Sequence, residues 1–286
     1  MKQPLRNPRA NQRQDGPHPA AGDRNQSTPG ERTNRTDWPD LFGELDRWGE
    51  AGRVATLWWR DDDATAPNER LDRLLAIAGA VPVTLAVIPA AAEPALAPWL
   101  ASRAPQAVVV QHGWRHTNHS DDRRKSEFPA ARAPAAVGAD LAAGHARLGA
   151  LFGDRALAVL APPWNRFDER FLPLLADCGI AALSRRDPRG ARCPAEGVVE
   201  ANIHVDLVAW RGDRGFVGKG AALAGILAHL QARRRGAVDA AEPTGILTHH
   251  AVADCGAEAF LRALCRRVGE HGAARWLDGR EVFSLT

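Results

Sequence analysis

Short apolar runs alternate with helical patterns along this chain, and that alternation limits how it can fold more than any other feature. Runs of β type occupy residues 54–59, 81–88, 107–111, 157–161, 180–183, 202–205 and 245–248, and most are apolar at consecutive positions. Continuous apolarity is expected of strands covered on both faces. Between the runs, helical spacing predicts helices over 69–78, 93–102, 136–152, 168–177, 219–234 and 258–271. A leading helix in "DWPDLFGELDRWGEAG" is expected to take Asp40 as its N-cap and to stop at Gly52. Strand and helix in alternation imply a parallel sheet with right-handed crossovers. Seven strands favour a closed or nearly closed α/β barrel over an open doubly wound sheet, built as a single domain over residues 37–286.

Composition agrees with a globular body and excludes several classes. Of 286 residues 45% are hydrophobic and 25% charged, with net charge +3, which is enough apolar material for one large core. Residues 1–36 are rich in Asn, Gln, Arg, Pro and Gly and cannot bury enough to offset their ordering entropy, so a disordered N-terminal tail is expected there. The tail has no apolar signal region, and no run reaches the ~18 apolar residues of a membrane span, so a cytoplasmic location with no membrane partner is expected. Cys178, Cys193, Cys255 and Cys265 have no CxxC spacing and read as reduced thiols. "DDRRKSE" (121–127) reads as a solvated loop and "RRR" (233–235) as a helix C-terminus complemented by cations, so no nucleic-acid partner is expected. Nothing in the sequence sets an oligomeric state.

In parallel α/β folds, functional groups collect just beyond the carboxyl ends of the strands. Here those positions carry "RDDDA" after the first run, "QHGWRHTNH" after the third, "APPWNRF" after the fourth, "HVDLVAW" after the sixth and "THH" after the seventh. His112 and His116 are spaced HxxxH, which lets two imidazoles converge on one metal if the segment makes a helical turn. A carboxylate from Asp61, Asp62 or Asp63 would complete a two-His, one-carboxylate site with positions left open for water and substrate. A bound divalent cation would also make three adjacent aspartates tolerable. Asn118 and His119 read as loop residues, and for any single tryptophan of this rim core packing is the simpler reading.

The ordered set of an Asp-Asp pair, HxxxH, a Pro-Pro-aromatic turn, "DLVAW" and "ILTHH" resembles the NodB-homology polysaccharide deacetylases over about residues 58–250. The resemblance implies a distorted (β/α) barrel, one divalent metal ion such as Zn²⁺, and hydrolysis of acetyl groups on N- or O-acylated carbohydrate. Carried over residue by residue, it implies Asp62 as general base, Asp63, His112 and His116 as metal ligands, and His249 as general acid. Asp61 with Asp62 is the alternative pair, and His250 the alternative acid. Arg60, Asp61, Pro163, Trp164, Asn165, Asp206, Trp210 and His250 are the supporting or substrate-binding candidates. The family's turn is preceded by an arginine that fixes the catalytic aspartate; that slot is Ala161 here, and Arg60 or Arg166 is the candidate substitute. Two other readings stand beside this one. The missing arginine is compatible with a catalytically silent glycan- or protein-binding barrel, and "HGWRH" also resembles the allantoinase-like branch, whose members act on small amides.

Overall fold

A computed structural model describes residues 36–212 and 214–285. The tail expected at residues 1–36 lies outside the described residues, apart from Thr36. The elements in chain order are α1 Trp38–Glu50, β1 Ala55–Ala64, α2 Glu69–Ala78, β2 Thr84–Val87, α3 Leu96–Arg103, β3 Val108–Gln111, α4 Pro134–Phe152, β4 Ala156–Leu160, α5 Leu172–Asp177, β5 Ala182–Leu183, β6 Val199–Glu200, β7 Val205–Asp206, α6 Lys219–Arg235, β8 Thr244–Thr248, α7 Cys255–Gly269, β9 Ala274–Trp276 and α8 Gly279–Phe283. Helix α2 shows why these segments are helical. Asn68 caps it by accepting the Leu71 N–H at 3.0 Å, Gly79 ends it at φ 56°, and Leu71, Leu74 and Leu75 are buried on one face.

Nine strands pair among the described residues in the order β6-β5-β4-β3-β2-β1-β8-β7, with β9 added to the start of β1. Every pairing is parallel. The path ends, β6 and β7, are joined by residues 201–204 alone. Those residues bridge the seam: Ile203 pairs with Arg186, and the His204 N–H donates to the Gly245 carbonyl at 2.8 Å. The Asn202 amide also holds the Arg185 N–H and the Asp187 carbonyl. Loops rather than a strand ladder therefore complete the circle, and the barrel is distorted there.

Pleating along β1 separates the layers. Leu57 and Trp59 face outward into the cluster made with α1, α2, α6 and α7, while Trp58 faces inward with Ala86, Val110, Val159 and Leu247. A further outer cluster beneath α4 and α5 contains Leu141, Leu160, Phe171 and Leu175. Helix α8 plugs the amino end of the barrel, with Phe283 edge-on to Trp58 at 5.5 Å.

Several expectations need correction. Asp37, not Asp40, caps α1; Asp40 sits three residues on and returns the bond to the Asp37 N–H, because Pro39 near the first turn moves the start upstream. Strands β6 and β9 and helix α8 are too short to leave a periodic signal. The 202–205 run enters the sheet only at Val205. Within "DDRRKSE", Ser126 and Glu127 are buried, and within "RRR", Arg233 is buried and donates to Thr56 and Thr244.

Candidate metal centre and active site

Arg60 and Asp62 follow Trp58 at two-residue spacing, so they share its inward face. Arg60 is fully buried and grips Asp62 with both ends of its fork, Nε to Oδ1 at 2.8 Å and Nη2 to Oδ2 at 3.0 Å. Its Nη1 donates to the Ser184 hydroxyl and carbonyl at the end of β5, and its Nη2 also donates to Asn165 Oδ1. Asp61 follows Trp59 outward. It accepts from the Thr248 hydroxyl and meets His250 Nδ1, each at 2.6 Å, while Trp59 Nε1 donates to the same hydroxyl at 2.8 Å. A regular strand would send Asp63 to the Asp61 side as well. The ladder between β1 and β2 instead slips between Asp61 and Ala64, and Asp63 takes φ 73°, which turns its carboxylate onto the rim.

There Asp63 Oδ1 lies 3.2 Å from His112 Nε2 and 3.4 Å from His116 Nε2. The two histidines do not converge through a helical turn: 112–116 is an irregular loop with Gly113 at φ 64° and His116 at φ 58°. His112 Nδ1 sits 2.8 Å from the Ala161 carbonyl. A carbonyl only accepts, so Nδ1 carries a proton and Nε2 is the atom turned to Asp63. The Trp164 ring rests on His116 with centroids 4.4 Å apart, and the unusual positive φ of Trp164 and Asn165 lets one turn serve both His116 and Arg60.

The loop has a buried anchor that sequence reasoning missed. Glu127 accepts the Arg115 N–H at 2.8 Å and the Trp114 N–H at 3.2 Å, and burial raises its pKa against the pull of those bonds. A Cβ on Gly113 would collide with this carboxylate and lie 2.7 Å from Pro163 Cγ. Gly113→Ala is therefore expected to destabilise the protein by about 1–3 kcal/mol, since positive φ and overpacking act together. Urea denaturation measures it; a variant as stable as wild type would show that the loop is free to move.

The donor set fits a divalent ion. Ligand atoms of Asp63, His112 and His116 lie within 4.8 Å of one another, and buried Asp63 Oδ1 has no protein hydrogen bond. Burial alone would raise the Asp63 pKa, but attraction to His112, and less to His249 and His116, holds it well below the usual carboxylate range, leaving an anionic ligand. The triad, Asp62 and His249 share a cavity of about 540 Å³, with Asp206 and Trp210 on its wall. Asp206 accepts from Trp210 Nε1 at 2.7 Å, and the exposed Trp210 ring stands edge-on to His249 at 4.7 Å. His249 Nδ1 is buried without a hydrogen bond. Arg166 faces the same cavity but donates to the Lys125 carbonyl, so the cation on Asp62 is Arg60. Asn118 braces its own loop through the Ser120 and Ser126 N–H groups.

His204, His229 and Glu242 form a second close group, but their hydrogen bonding opposes a metal. The Gly245 N–H donates to His204 Nδ1 at 2.9 Å, so neutral His204 carries its proton on Nε2, the atom 3.5 Å from Glu242 Oε2. Both Glu242 oxygens already accept backbone N–H groups. Burial, then the nearby His204 and Arg233, push the His229 pKa from 6.5 to about 2. Below pH 6.5 the unfolded chain takes a proton that folded His229 refuses, so stability falls as pH drops through that window. At pH 5 the loss is expected to reach about 2 kcal/mol. His229→Gln should remove that increment from the difference between urea midpoints at pH 7 and pH 5; an unchanged difference would refute the assignment.

The barrel has the polysaccharide deacetylase fold. Among solved structures, the chain aligns with a protein from Mycobacterium smegmatis assigned as a polysaccharide deacetylase at 17% identity and TM-score 0.60, covering 86% of this chain and 91% of that one. A peptidoglycan N-acetylglucosamine deacetylase aligns at 16% identity and TM-score 0.54, with 84% and 96% covered. A family 4 acetyl xylan esterase from Clostridium thermocellum, in complex with a cobalt ion, aligns at 12% identity and TM-score 0.52, with 80% and 91% covered. At identities this low the structural likeness shows the fold alone. No protein-family model and no curated protein matches the chain. No helix among the described residues is long and apolar enough to cross a membrane.

Proposed function

We propose that this chain is a metal-dependent hydrolase that removes acyl groups, acetyl above all, from an N- or O-acylated carbohydrate. The observation that carries this reading is the pairing of two differently held aspartates: Asp63 turned onto His112 and His116, and Asp62 gripped by Arg60 beside them. Asp63, His112 and His116 hold the ion, with zinc the expected metal. When bound, a divalent ion there supplies Lewis acidity toward the acyl carbonyl and acidifies water. Asp62 takes the proton from the attacking water, and its fork with Arg60 keeps the carboxylate aimed. As the C–N or C–O bond breaks, His249 delivers a proton to the departing amine or alkoxide. Trp164 and Trp210 border the cavity and offer faces for a sugar ring. Asp61 and His250 belong to the wall behind: their bond to each other turns them from the cavity, which supports Asp62 with Asp63 as the working pair.

The test is turnover of 4-nitrophenyl acetate and N-acetylglucosamine oligomers by the zinc-loaded chain. Asp62→Asn is expected to lower kcat by roughly 10²–10⁴-fold with zinc content unchanged. Full activity in that variant, or after exhaustive chelation, would overturn the reading.

A further inference from the structure

The cavity over the metal triad has a strongly basic mouth. Lys125, Arg166, Arg186, Arg211 and Arg214 line it, against the acids Asp62, Asp63 and Asp206. Those acids are already engaged: Asp62 by Arg60, Asp63 by the two histidines, and Asp206 by the Trp210 and Val208 N–H groups. A second cavity of about 550 Å³ adjoins this one and shares Asn165, Arg166 and Arg186 with it. Two other arginines of the second cavity are committed to structure. Arg185 forks onto Glu200 at 2.8 and 3.1 Å, and Arg189 binds Asp239 at 2.7 Å. Arg166 and Arg186 are different. Arg166 is exposed and makes one bond to the Lys125 carbonyl, and Arg186 makes only loose ion pairs, 3.6 Å from Asp206 and 4.0 Å from Asp187, with no hydrogen bond from its guanidinium to either. Two guanidinium groups thus stand on the wall between the cavities, beside the acyl-transfer site. Hydroxyls and acetamides do not call for such forks, whereas phosphate and carboxylate accept them bidentately. Among the described residues each cavity carries five cations against three acids, an excess that draws in anions.

We infer that the substrate is an acyl sugar that also bears an anionic group, phosphate or carboxylate, which Arg166 and Arg186 hold while the acyl group lies over Asp63, His112 and His116. The inference rests on the deacylase reading for the acyl end and on the paired cavities for the anionic end. The second cavity leaves room for whatever the anion is attached to.

The test measures binding by calorimetry with the zinc-loaded full chain and four sugars: N-acetylglucosamine, its 1-phosphate, its 6-phosphate and N-acetylmuramic acid. At least one anionic sugar is expected to bind roughly tenfold to a hundredfold tighter than the neutral one, the phosphate and carboxylate arms separating the two sources of charge. Arg166→Gln/Arg186→Gln should erase that preference, and 0.5 M salt should weaken it. Arg262→Gln/Arg266→Gln on α7, with equal loss of net charge but lining neither cavity, should keep it. Equal affinity for neutral and anionic sugars, or a preference that survives in the Arg166/Arg186 variant, overturns the inference. Anion-dependent binding with no hydrolysis of any acyl substrate would instead sink the deacylase reading and leave the anion site standing.

Discussion

Arg60→Met is expected to destabilise the protein by about 3–5 kcal/mol, because it strands the Asp62 carboxylate in the barrel wall. Asp62 is 2% exposed, and its two oxygens are held by the arginine fork. The same substitution removes the donors that reach Ser184 and Asn165. Adding Asp62→Asn removes the stranded charge, so the double variant should recover at least half of the lost stability while staying inactive. Urea denaturation of both variants reads this directly; a single variant within about 1 kcal/mol of wild type, or a double variant no better than the single, would contradict it. Arg60→Lys separates positioning from folding. Lysine keeps the charge but loses the fork, so kcat should fall tenfold or more with KM little changed. If kcat holds, Arg60 is structural only, and the absence of an arginine at position 161 is left without a compensating residue.

Zinc should bind the full chain with one equivalent and raise its melting temperature, and His112→Ala should abolish both effects. The ion is expected to stabilise the folded chain by about 4 kcal/mol at a free concentration a thousandfold above its dissociation constant. The His112→Ala variant removes one ligand and also the bond that ties the ligand loop to Ala161. His229→Gln is the informative companion. The tautomer imposed on His204 by the Gly245 N–H keeps that buried group from holding metal, so this variant should still bind one equivalent. Zinc raising the melting temperature of His112→Ala as much as that of wild type would remove the metal centre from the rim.

Much of the architecture was legible because its signals are local. Helix α2 was expected at 69–78 and is found there, since its cap, leucine spacing and terminal glycine lie within a dozen residues. Strands β1, β3, β4 and β8 were visible as apolar runs, and their carboxyl ends pointed to the rim. The limits were equally physical. Strand β1 extends to Ala64, through Arg60 and the three aspartates, because the partners that make burial of those charges tolerable come from β5, β8 and the β4 turn. Glu127 sat in a charged run that resembled a solvated loop, and only the backbone N–H groups of 114 and 115 reveal it as an anchor. The spacing of His112 and His116 was visible, while the left-handed turn that brings them together was not.

What the sequence alone determined is a parallel (β/α) barrel and the residue types on its functional rim, because periodicity and the ends of apolar runs are properties of neighbours in the chain. Only the tertiary structure decided how three consecutive aspartates divide: Asp61 to His250, Asp62 to Arg60, Asp63 to the histidines. Strand alternation by itself sends Asp61 and Asp63 the same way. A register slip against β2 parts them, and such a slip arises between strands that are distant in sequence.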